Sequence, residues 1–327
     1  MAEIITTDEV KDFLSTIQGK EITLHRLREE FQILRGSKSF DYIRTIVARL
    51  VDQKIIKPIG KKEGIFKVIT QVEPVPIFTV QRERKEPFKL MFPRDYGTFM
   101  EMDIANHIVI REGDLVLISG LSNFGKTTLC LNFLAENIAE HPVLMGNEYT
   151  TIDCEPMPRF LNRLDAMDWV QWTNGTNEEP FTLLPVRDDY AEHIIKDRIN
   201  IIDWINIESG EHFMIGTILE GIKKQLGSGI AIVALQKAEG ATAGRGGQFT
   251  KDFADCELLI DRCGDNQTLL TVGKVKESLS PIMGKAYAYS IEQGVKIKNF
   301  RAVKKCPVCW GKNPKCNECL GTGYLDV

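Results

Sequence analysis

The sequence predicts an α/β fold, a mostly parallel sheet with helices on both faces, flanked by one small module at each end. Three observations predict it. Between residues 105 and 300, short apolar runs alternate with helical patterns, which is typical of parallel sheets. A glycine-rich loop joins one of these runs to a helix, and four of the eight cysteines crowd the last 22 residues. The length of 327 residues suits one large domain with small appendages.

Residues 1–70 are predicted to form three helices and a β-hairpin. Thr6 and Glu9 make a T-x-x-E capping box ahead of the first helical stripe, and the hairpin at 54–69 has a basic tip. This order resembles a winged helix-turn-helix, whose third helix enters a major groove and whose wing touches phosphate. Docking of a protein partner is the alternative role. The resemblance implies DNA contacts by Arg44, Arg49, Lys61 and Lys62.

The next segment, residues 71–104, is predicted to be a linker. It contains the charge run 82–86 and four prolines, Pro74, Pro76, Pro87 and Pro93. We therefore expect a domain boundary here, followed by the α/β domain at 105–300 and a last module at 301–327.

A phosphate-binding loop follows the apolar run 115–119 and precedes the helical pattern 127–138. The residues from Gly120 to Thr127, GLSNFGKT, match G-x-x-x-x-G-K-[ST] in full. In such a loop backbone N–H groups surround the β-phosphate, the lysine reaches the β- and γ-oxygens, and the threonine hydroxyl joins the Mg²⁺ shell. A loop that has lost hydrolysis is the alternative. The motif predicts contacts to ATP and Mg²⁺ by Gly120, Ser122, Asn123, Phe124, Gly125, Lys126, Thr127 and Thr128.

Two acidic residues end apolar strands of the predicted sheet. Glu148 follows the run 143–147, where a carboxylate could orient or deprotonate an attacking water. Asp203 ends the run that begins at Ile199, a pattern suited to holding Mg²⁺ through water. Taken alone, each is as compatible with a surface cap as with catalysis.

The order of these parts resembles the RecA-type ATPases and, within them, the hexameric replicative helicases of the DnaB type. The resemblance spans about residues 105–300. It implies that Glu148 is the catalytic base, that Gln236 senses the γ-phosphate, and that Lys126 is catalytic. It also implies that Lys276 presents a basic finger to the nucleotide of a neighbouring subunit, although the family has arginine there.

The glycine-rich segment 237–251 lies where that family has its central DNA-binding loop. The resemblance implies contact with single-stranded DNA there and assembly into a homo-oligomer, either a hexamer or a filament. A plain surface loop is the alternative, and no aromatic residue lies between 237 and 248 for base stacking. The basic residues expected to contact DNA are Lys237, Arg245 and Lys251.

The C-terminal cysteines form two C-x-x-C pairs six residues apart, Cys306 with Cys309 and Cys316 with Cys319. Four thiolates at this spacing can bind one tetrahedral Zn²⁺. The sequence C-x-G-x-G after Cys319 resembles the zinc ribbon of DnaJ-type repeats. A redox dithiol is the alternative. Nearby lysines suggest a contact with nucleic acid or another partner; they are Lys304, Lys305, Lys312 and Lys315.

Composition and charge narrow the function classes further. Hydrophobic residues at 43% and charged residues at 26% exclude collagen-like and wholly disordered chains. Basic ends flank an acidic middle, since residues 1–70 hold 13 Lys/Arg against 10 Asp/Glu, 91–295 hold 17 against 30, and 296–327 hold 7 against 2. No apolar run reaches the roughly 18 residues of a membrane span, and the N-terminus is unlike a signal peptide. We therefore expect a cytoplasmic or nuclear protein without a membrane partner.

These observations favour a DNA-stimulated ATPase, in the form of a ring-forming, helicase-like translocase of DNA replication or repair. A filament-forming recombinase or a helicase loader is one alternative. An ATP-gated DNA-binding regulatory protein is the other, in which hydrolysis serves only as a timer.

Overall fold

The computed structural model describes residues 5–60, 64–78, 85–173, 178–205, 214–238, 241 and 243–327. Lys61 and Lys62, predicted to contact DNA, lie outside these residues. The chain divides into two compact units, 1–84 and 85–327. None of the helices in the described ranges combines the length and apolarity that a bilayer crossing requires.

The first unit contains the three helices and the hairpin that the sequence predicts. Its elements are α1 (Thr7–Ser15), β1 (Glu21–Thr23), α2 (Leu24–Glu30), α3 (Lys38–Asp52), β2 (Ile56–Pro58) and β3 (Ile65–Val68). The strands pair antiparallel, with β3 between β1 and β2.

Local chemistry explains why these helices begin where they do. The Glu9 N–H donates to the Thr6 hydroxyl at 3.3 Å, and the Thr6 N–H donates to the Glu9 carboxylate at 2.7 Å, which completes the predicted capping box. A cap of this kind stabilises a helix by about 1 kcal/mol. In α3 the apolar face is buried, whereas Arg44 and Arg49 are exposed, as the helical pattern requires.

The second unit is built on a ten-stranded sheet in the order β13-β12-β11-β10-β9-β4-β8-β7-β5-β6. Strands β9 to β6 in this order are parallel, and β9 to β13 pair antiparallel. The strands are β4 (Leu115–Gly120), β5 (Val143–Met145), β6 (Thr182–Leu184), β7 (Ile199–Ile202), β8 (Ile230–Gln236), β9 (Cys256–Cys263), β10 (Gln267–Val275), β11 (Ala286–Glu292), β12 (Lys296–Lys305) and β13 (Tyr324–Asp326). The helices are α4 (Lys126–Glu136), α5 (Pro158–Ala166), α6 (Ile215–Gln225) and α7 (Gln248–Phe253), with 3-10 turns at Asp103–Asn106, Ile138–Glu140 and Tyr190–His193.

Helices cover both faces of the parallel half, as predicted. Strand β4 shows why, because its side chains alternate between two cores. Val116 and Ile118 pack with α4 and α5, whereas Leu115 and Leu117 pack with α6. A strand that is buried on both faces places its C-terminal end at the edge of the sheet where ligands bind in open α/β folds.

The segment 85–104 packs into the second unit, although its prolines and charges predict a linker. Phe92 and Met102 are buried in the core that contains α4. The Asn137 amide accepts from the Met91 N–H at 2.9 Å and donates to the Met91 carbonyl at 2.8 Å. The prolines dominate the local pattern, whereas the apolar residues between them find their partners only in the folded domain. Likewise residues 301–305 complete β12, so the cysteine module begins at Cys306.

Candidate functional site

The phosphate-binding loop lies between the end of β4 and the start of α4, as its motif predicts. Asn123 and Gly125 have positive φ angles of 65° and 94°, which turns the backbone sharply ahead of the helix. A Cβ on Gly125 would lie 2.5 Å from Cδ1 of Ile291, and one on Gly120 would lie 2.7 Å from Cβ of Ile260. Close packing therefore favours glycine at position 120, and the positive φ angle favours glycine at position 125.

Lys126, in the first turn of α4, points back into this loop. Its Nζ donates to the carbonyl of Gly120 at 3.2 Å and to that of Leu121 at 2.8 Å. The residue is only 7% exposed, and burial lowers the pKa of its ammonium. The cation is thus held inside the cradle, where the β- and γ-oxygens of a nucleotide are expected.

Some of the other predicted loop residues are exposed to solvent, and the rest pack against the domain. Ser122 and Asn123 are exposed, and Phe124 is half-buried against the core. The Thr128 hydroxyl donates to the Gly294 carbonyl at 2.8 Å, in the turn between β11 and β12. The side chain of Thr128 is therefore engaged in packing, and a contact with nucleotide would come from its backbone N–H.

Asp203 follows β7 and is the buried carboxylate of the site, at 3% exposure. Burial raises its pKa, and the nearby hydroxyls of Tyr149 and Thr127 offset part of that effect. Oδ2 accepts a hydrogen bond from the Tyr149 hydroxyl at 2.5 Å, whereas buried Oδ1 has no partner among the described residues.

This donor set fits a magnesium ion. An unpartnered, buried carboxylate oxygen is costly unless a ligand satisfies it, and Mg²⁺ takes carboxylate, hydroxyl and water oxygens. Asp203 and Thr127 would hold the ion, directly or through water.

Glu148 lies three residues after β5, at the same edge of the sheet. It is exposed, and its Oε1 accepts from the Trp204 indole N–H at 3.4 Å. Gly146 lets the chain pass close to Asp203, because a Cβ there would lie 2.3 Å from the Asp203 carbonyl oxygen. The arrangement leaves a carboxylate open to water beside the phosphate-binding loop.

Gln236 is the last residue of β8 and pairs with Gly120 of the phosphate-binding loop. Its backbone carbonyl accepts from the Arg245 N–H at 2.7 Å, and the Lys237 N–H donates to the Gly120 carbonyl at 2.9 Å. The predicted sensor therefore lies beside the cradle and is hydrogen-bonded to the predicted DNA loop.

Lys237 is placed differently from its predicted role in DNA contact. Its side chain is fully buried, pairs with Asp261 at 2.5 Å and donates to the Ala241 carbonyl at 2.9 Å. A buried, ion-paired ammonium is not available to a DNA backbone. Arg245 is exposed and Lys251 is half-exposed, so these two remain candidates, while residues 239, 240 and 242 lie outside the described chain.

Lys276 lies across the sheet from the phosphate-binding loop of its own chain. Its Nζ donates to the Asp255 carboxylate at 2.5 Å, and Asp255 also accepts from Lys223 and from the N–H of Leu115, where β4 begins. These bonds hold the pKa of the Asp255 carboxyl below its usual value although burial opposes them. Lys276 cannot act on its own chain's nucleotide, and the finger role toward a neighbouring subunit stays a prediction.

Three residues at the site were not predicted from the sequence: Tyr149, Trp204 and Asp261. Tyr149 and Trp204 donate hydrogen bonds to Asp203 and Glu148, and Asp261 forms an ion pair with Lys237. Tyr149 and Trp204 each directly follow a predicted acidic residue, which was the available signal. No local pattern could have indicated Asp261, since it pairs across 24 positions of the chain.

The four C-terminal cysteines converge as predicted. Their sulfur atoms lie within 4.8 Å of one another, with 3.9 Å between Cys306 and Cys316 and 3.5 Å between Cys309 and Cys319. Tetrahedral zinc with Zn–S bonds of about 2.3 Å would separate the sulfurs by about 3.8 Å. The Gly323 N–H donates to Cys319 Sγ at 3.3 Å, an outer contact typical of such sites. The cluster fits a structural Zn²⁺ held by all four thiolates.

Comparisons with known proteins add little to this geometry. No protein-family model matches the sequence, and no curated protein matches it. Among solved structures, the chain is similar to a KaiC-like protein from the hyperthermophilic archaeon Pyrococcus horikoshii, with 18% identity and a TM-score of 0.46. The match covers 65% of this chain and 98% of that one. The functional argument therefore depends on the site itself.

Proposed function

We propose that this chain is a Mg²⁺-dependent ATPase of the RecA type whose activity is stimulated by single-stranded DNA. The observation that carries the proposal is the buried Asp203 with its unpartnered oxygen, close to Thr127 and to the buried ammonium of Lys126. A bound Mg²⁺ would supply charge neutralisation at the β- and γ-phosphates. Burial of the Asp203 carboxylate and the Lys126 ammonium without a full set of hydrogen bonds destabilises the fold. Binding of Mg·ATP would compensate for that cost.

The residues of the chain divide the hydrolysis between them. Lys126 stabilises charge that develops on the phosphate oxygens, and the loop N–H groups orient the phosphates. Glu148, held by the Trp204 indole, takes the proton from the attacking water. Gln236 lies beside Gly120 and would respond to the presence of the γ-phosphate.

Coupling to DNA would run from Gln236 into the adjoining glycine-rich loop. The Arg245 N–H donates a hydrogen bond to the Gln236 carbonyl, so a movement of either residue would displace the other. Arg245 and Lys251 would supply the phosphate contacts. We further propose a ring or filament of identical chains, because Lys276 lies on the opposite edge of the sheet, where it could reach only a neighbour's nucleotide. The preferred form is a helicase-like translocase of DNA replication or repair.

The burial of Lys237 favours one alternative specifically, an ATP-gated regulatory protein. With that lysine paired to Asp261, the loop offers fewer free cations than a DNA motor is expected to need. A recombinase or a helicase loader remains a second form of the motor proposal. We also propose a cytoplasmic location, since a cysteine-ligated metal site suits a reducing compartment.

The test is ATPase turnover with and without an oligo(dT) strand. We expect stimulation of the wild-type protein, and a smaller ratio of stimulated to basal rate for Arg245→Ala combined with Lys251→Ala. Lys89→Ala combined with Lys196→Ala removes the same charge from exposed positions elsewhere and is the matched control. Turnover that DNA never changes would favour the regulatory protein, and a strand-displacement assay would separate translocase from recombinase or loader.

A further inference from the structure

A groove runs along the antiparallel half of the sheet, far in sequence from the phosphate-binding loop. Its volume is about 610 Å³, and it lies between the turn before β11 and the pair β12–β13. Lys285, Lys304 and Lys305 line it, together with the apolar surface of Met283 and Tyr324. Asp103 is the one acidic side chain among the described lining residues, so the groove is predominantly basic.

The cysteine module follows the groove lysines in the chain and carries an exposed aromatic ring. Trp310, just after the first cysteine pair, is 64% exposed. The backbone N–H of Trp310 donates to the Cys306 carbonyl at 2.9 Å, which fixes the position of this residue in the turn. No described ring or cation stacks on its indole. An exposed indole offers a flat face on which another ring can stack. Lys312 and Lys315 are exposed beside it in the sequence.

The groove and the knuckle adjoin at the start of β13, because a Cβ on Gly323, next to Tyr324 of the groove, would lie 2.9 Å from the Cα of Gly311, next to Trp310. Lys305 ends β12 and directly precedes Cys306, whose N–H donates to the Gly323 carbonyl at 2.9 Å. We name this surface the ribbon face and define it by six residues: Lys285, Lys304, Lys305, Trp310, Lys312 and Lys315.

The charge of the ribbon face is free to meet a ligand. Lys304, Lys305, Lys312 and Lys315 form no ion pair with any described residue. Beyond Cys306 the module has two acidic residues, Glu318 and Asp326, and Asp326 is neutralised by Arg301 at 2.6 Å. These four ammonium groups are exposed to solvent and can attract an anionic ligand.

We propose that the ribbon face binds single-stranded nucleic acid, with phosphates on its lysines and a base stacked on Trp310. The lysines and the indole together identify the class of ligand. Lysines alone would bind any polyanion, and a lone indole would bind any apolar group, but a backbone of phosphates with open base faces satisfies both. In a duplex the base faces are stacked on one another and cannot contact Trp310. An acidic peptide supplies negative charge but does not have an aromatic ring beside each charge. The site is separate from the glycine-rich loop and does not require bound nucleotide.

The test is fluorescence anisotropy of labelled single strands of about 20 nucleotides, DNA and RNA in separate arms, with the full-length zinc-loaded protein and no ATP. Trp310→Ala should weaken binding about tenfold, whereas Trp310→Phe, which keeps a stacking ring, should retain most of the affinity. Lys304→Ala combined with Lys305→Ala should flatten the log-log dependence of affinity on salt by about 1.4, or about 0.7 per phosphate contact. The two arms show whether the strand is DNA, RNA or either.

Three controls make the result decisive. Lys89→Ala with Lys196→Ala removes two exposed charges elsewhere, and Val308→Ala removes an exposed apolar side chain from the same module, so neither should change binding. Zinc content equal to that of the wild type shows that the Trp310 variants keep the module folded. The proposal is overturned if Trp310→Ala and the double lysine variant bind single strands like the wild type, or if duplex binds equally well.

Discussion

The phosphate-binding edge of the sheet and the cysteine module both hold reactive groups in fixed positions, but by opposite means. At the sheet edge, Lys126 and Asp203 are held by a large apolar core behind strands β4, β7 and β8. Burial lowers the pKa of Lys126 and raises that of Asp203, so it favours the neutral form of each side chain. In the cysteine module the buried residues are mainly the thiols themselves, Cys306, Cys316 and Cys319.

This difference teaches where each site obtains its stability. The two apolar cores hold the sheet edge in place, because each buried methylene group contributes about 0.8 kcal/mol to stability. The module is too small for such a core, and small domains of this kind obtain their folding free energy from metal. Ligand loss should therefore silence the first site and unfold the second.

The largest expected effect breaks the sheet edge without unfolding it. Lys126→Ala removes the side-chain cation placed for the phosphates, and we expect ATP hydrolysis to fall at least about 100-fold, with much weaker nucleotide binding. The measurements are turnover and fluorescent-nucleotide binding. Lys224→Ala, on the exposed side of α6, is the matched control. Turnover at the wild-type level would disprove the role assigned to the loop.

The next substitution separates chemistry from binding within the same edge. Glu148→Gln should keep nucleotide affinity and lose about 10²- to 10⁴-fold in turnover, because an amide orients water but cannot take its proton. Single-turnover kinetics and binding titration check both parts. Normal hydrolysis, or loss of binding, would place the base elsewhere.

The third prediction breaks the cysteine module alone. Wild-type protein should carry about one Zn²⁺ per chain, and Cys306→Ser should lower that occupancy and expose the module to protease while basal ATP turnover continues. Metal analysis, limited proteolysis and turnover are the measurements. Cys154→Ser, at an exposed cysteine outside the cluster, is the control. Metal-free wild-type protein under reducing conditions would rule out the zinc site.

The smallest effect sharpens the comparison by using pH. Burial raises the pKa of Asp203, so its ionised form destabilises the fold, and that cost appears as pH rises through the raised pKa. Asp203→Asn should therefore raise Tm near pH 8 without Mg²⁺ by about 2–4 °C, the shift that roughly 1 kcal/mol produces in a domain of this size.

The gap in Tm should narrow as pH falls below that range, and Mg·ATP should stabilise only the wild type. Differential scanning fluorimetry across pH measures both trends, with exposed Asp188→Asn as control. A gap that widens toward acid pH would contradict the burial argument.

Much of the fold followed from local patterns. The phosphate-binding loop, the capping box at Thr6 and the four cysteines are each defined by residues a few positions apart, and the structure has each of them. Local patterns failed where partners are distant. Tyr149 meets Asp203 across 54 positions, and Asn137 meets Met91 across 46, so neither contact was predictable from spacing.

The sequence by itself determined the fold class, the position of the loop and the four cysteines that can hold a metal ion, because backbone conformation and metal coordination depend on residue type and short spacing. The tertiary structure alone decided which charged residues are free. It buried Lys237 against Asp261, paired Lys276 with Asp255, and left Trp310 exposed. The physical reason is that burial and ion pairing depend on which strands become neighbours, and strand order is set by packing over the whole chain rather than by any one segment.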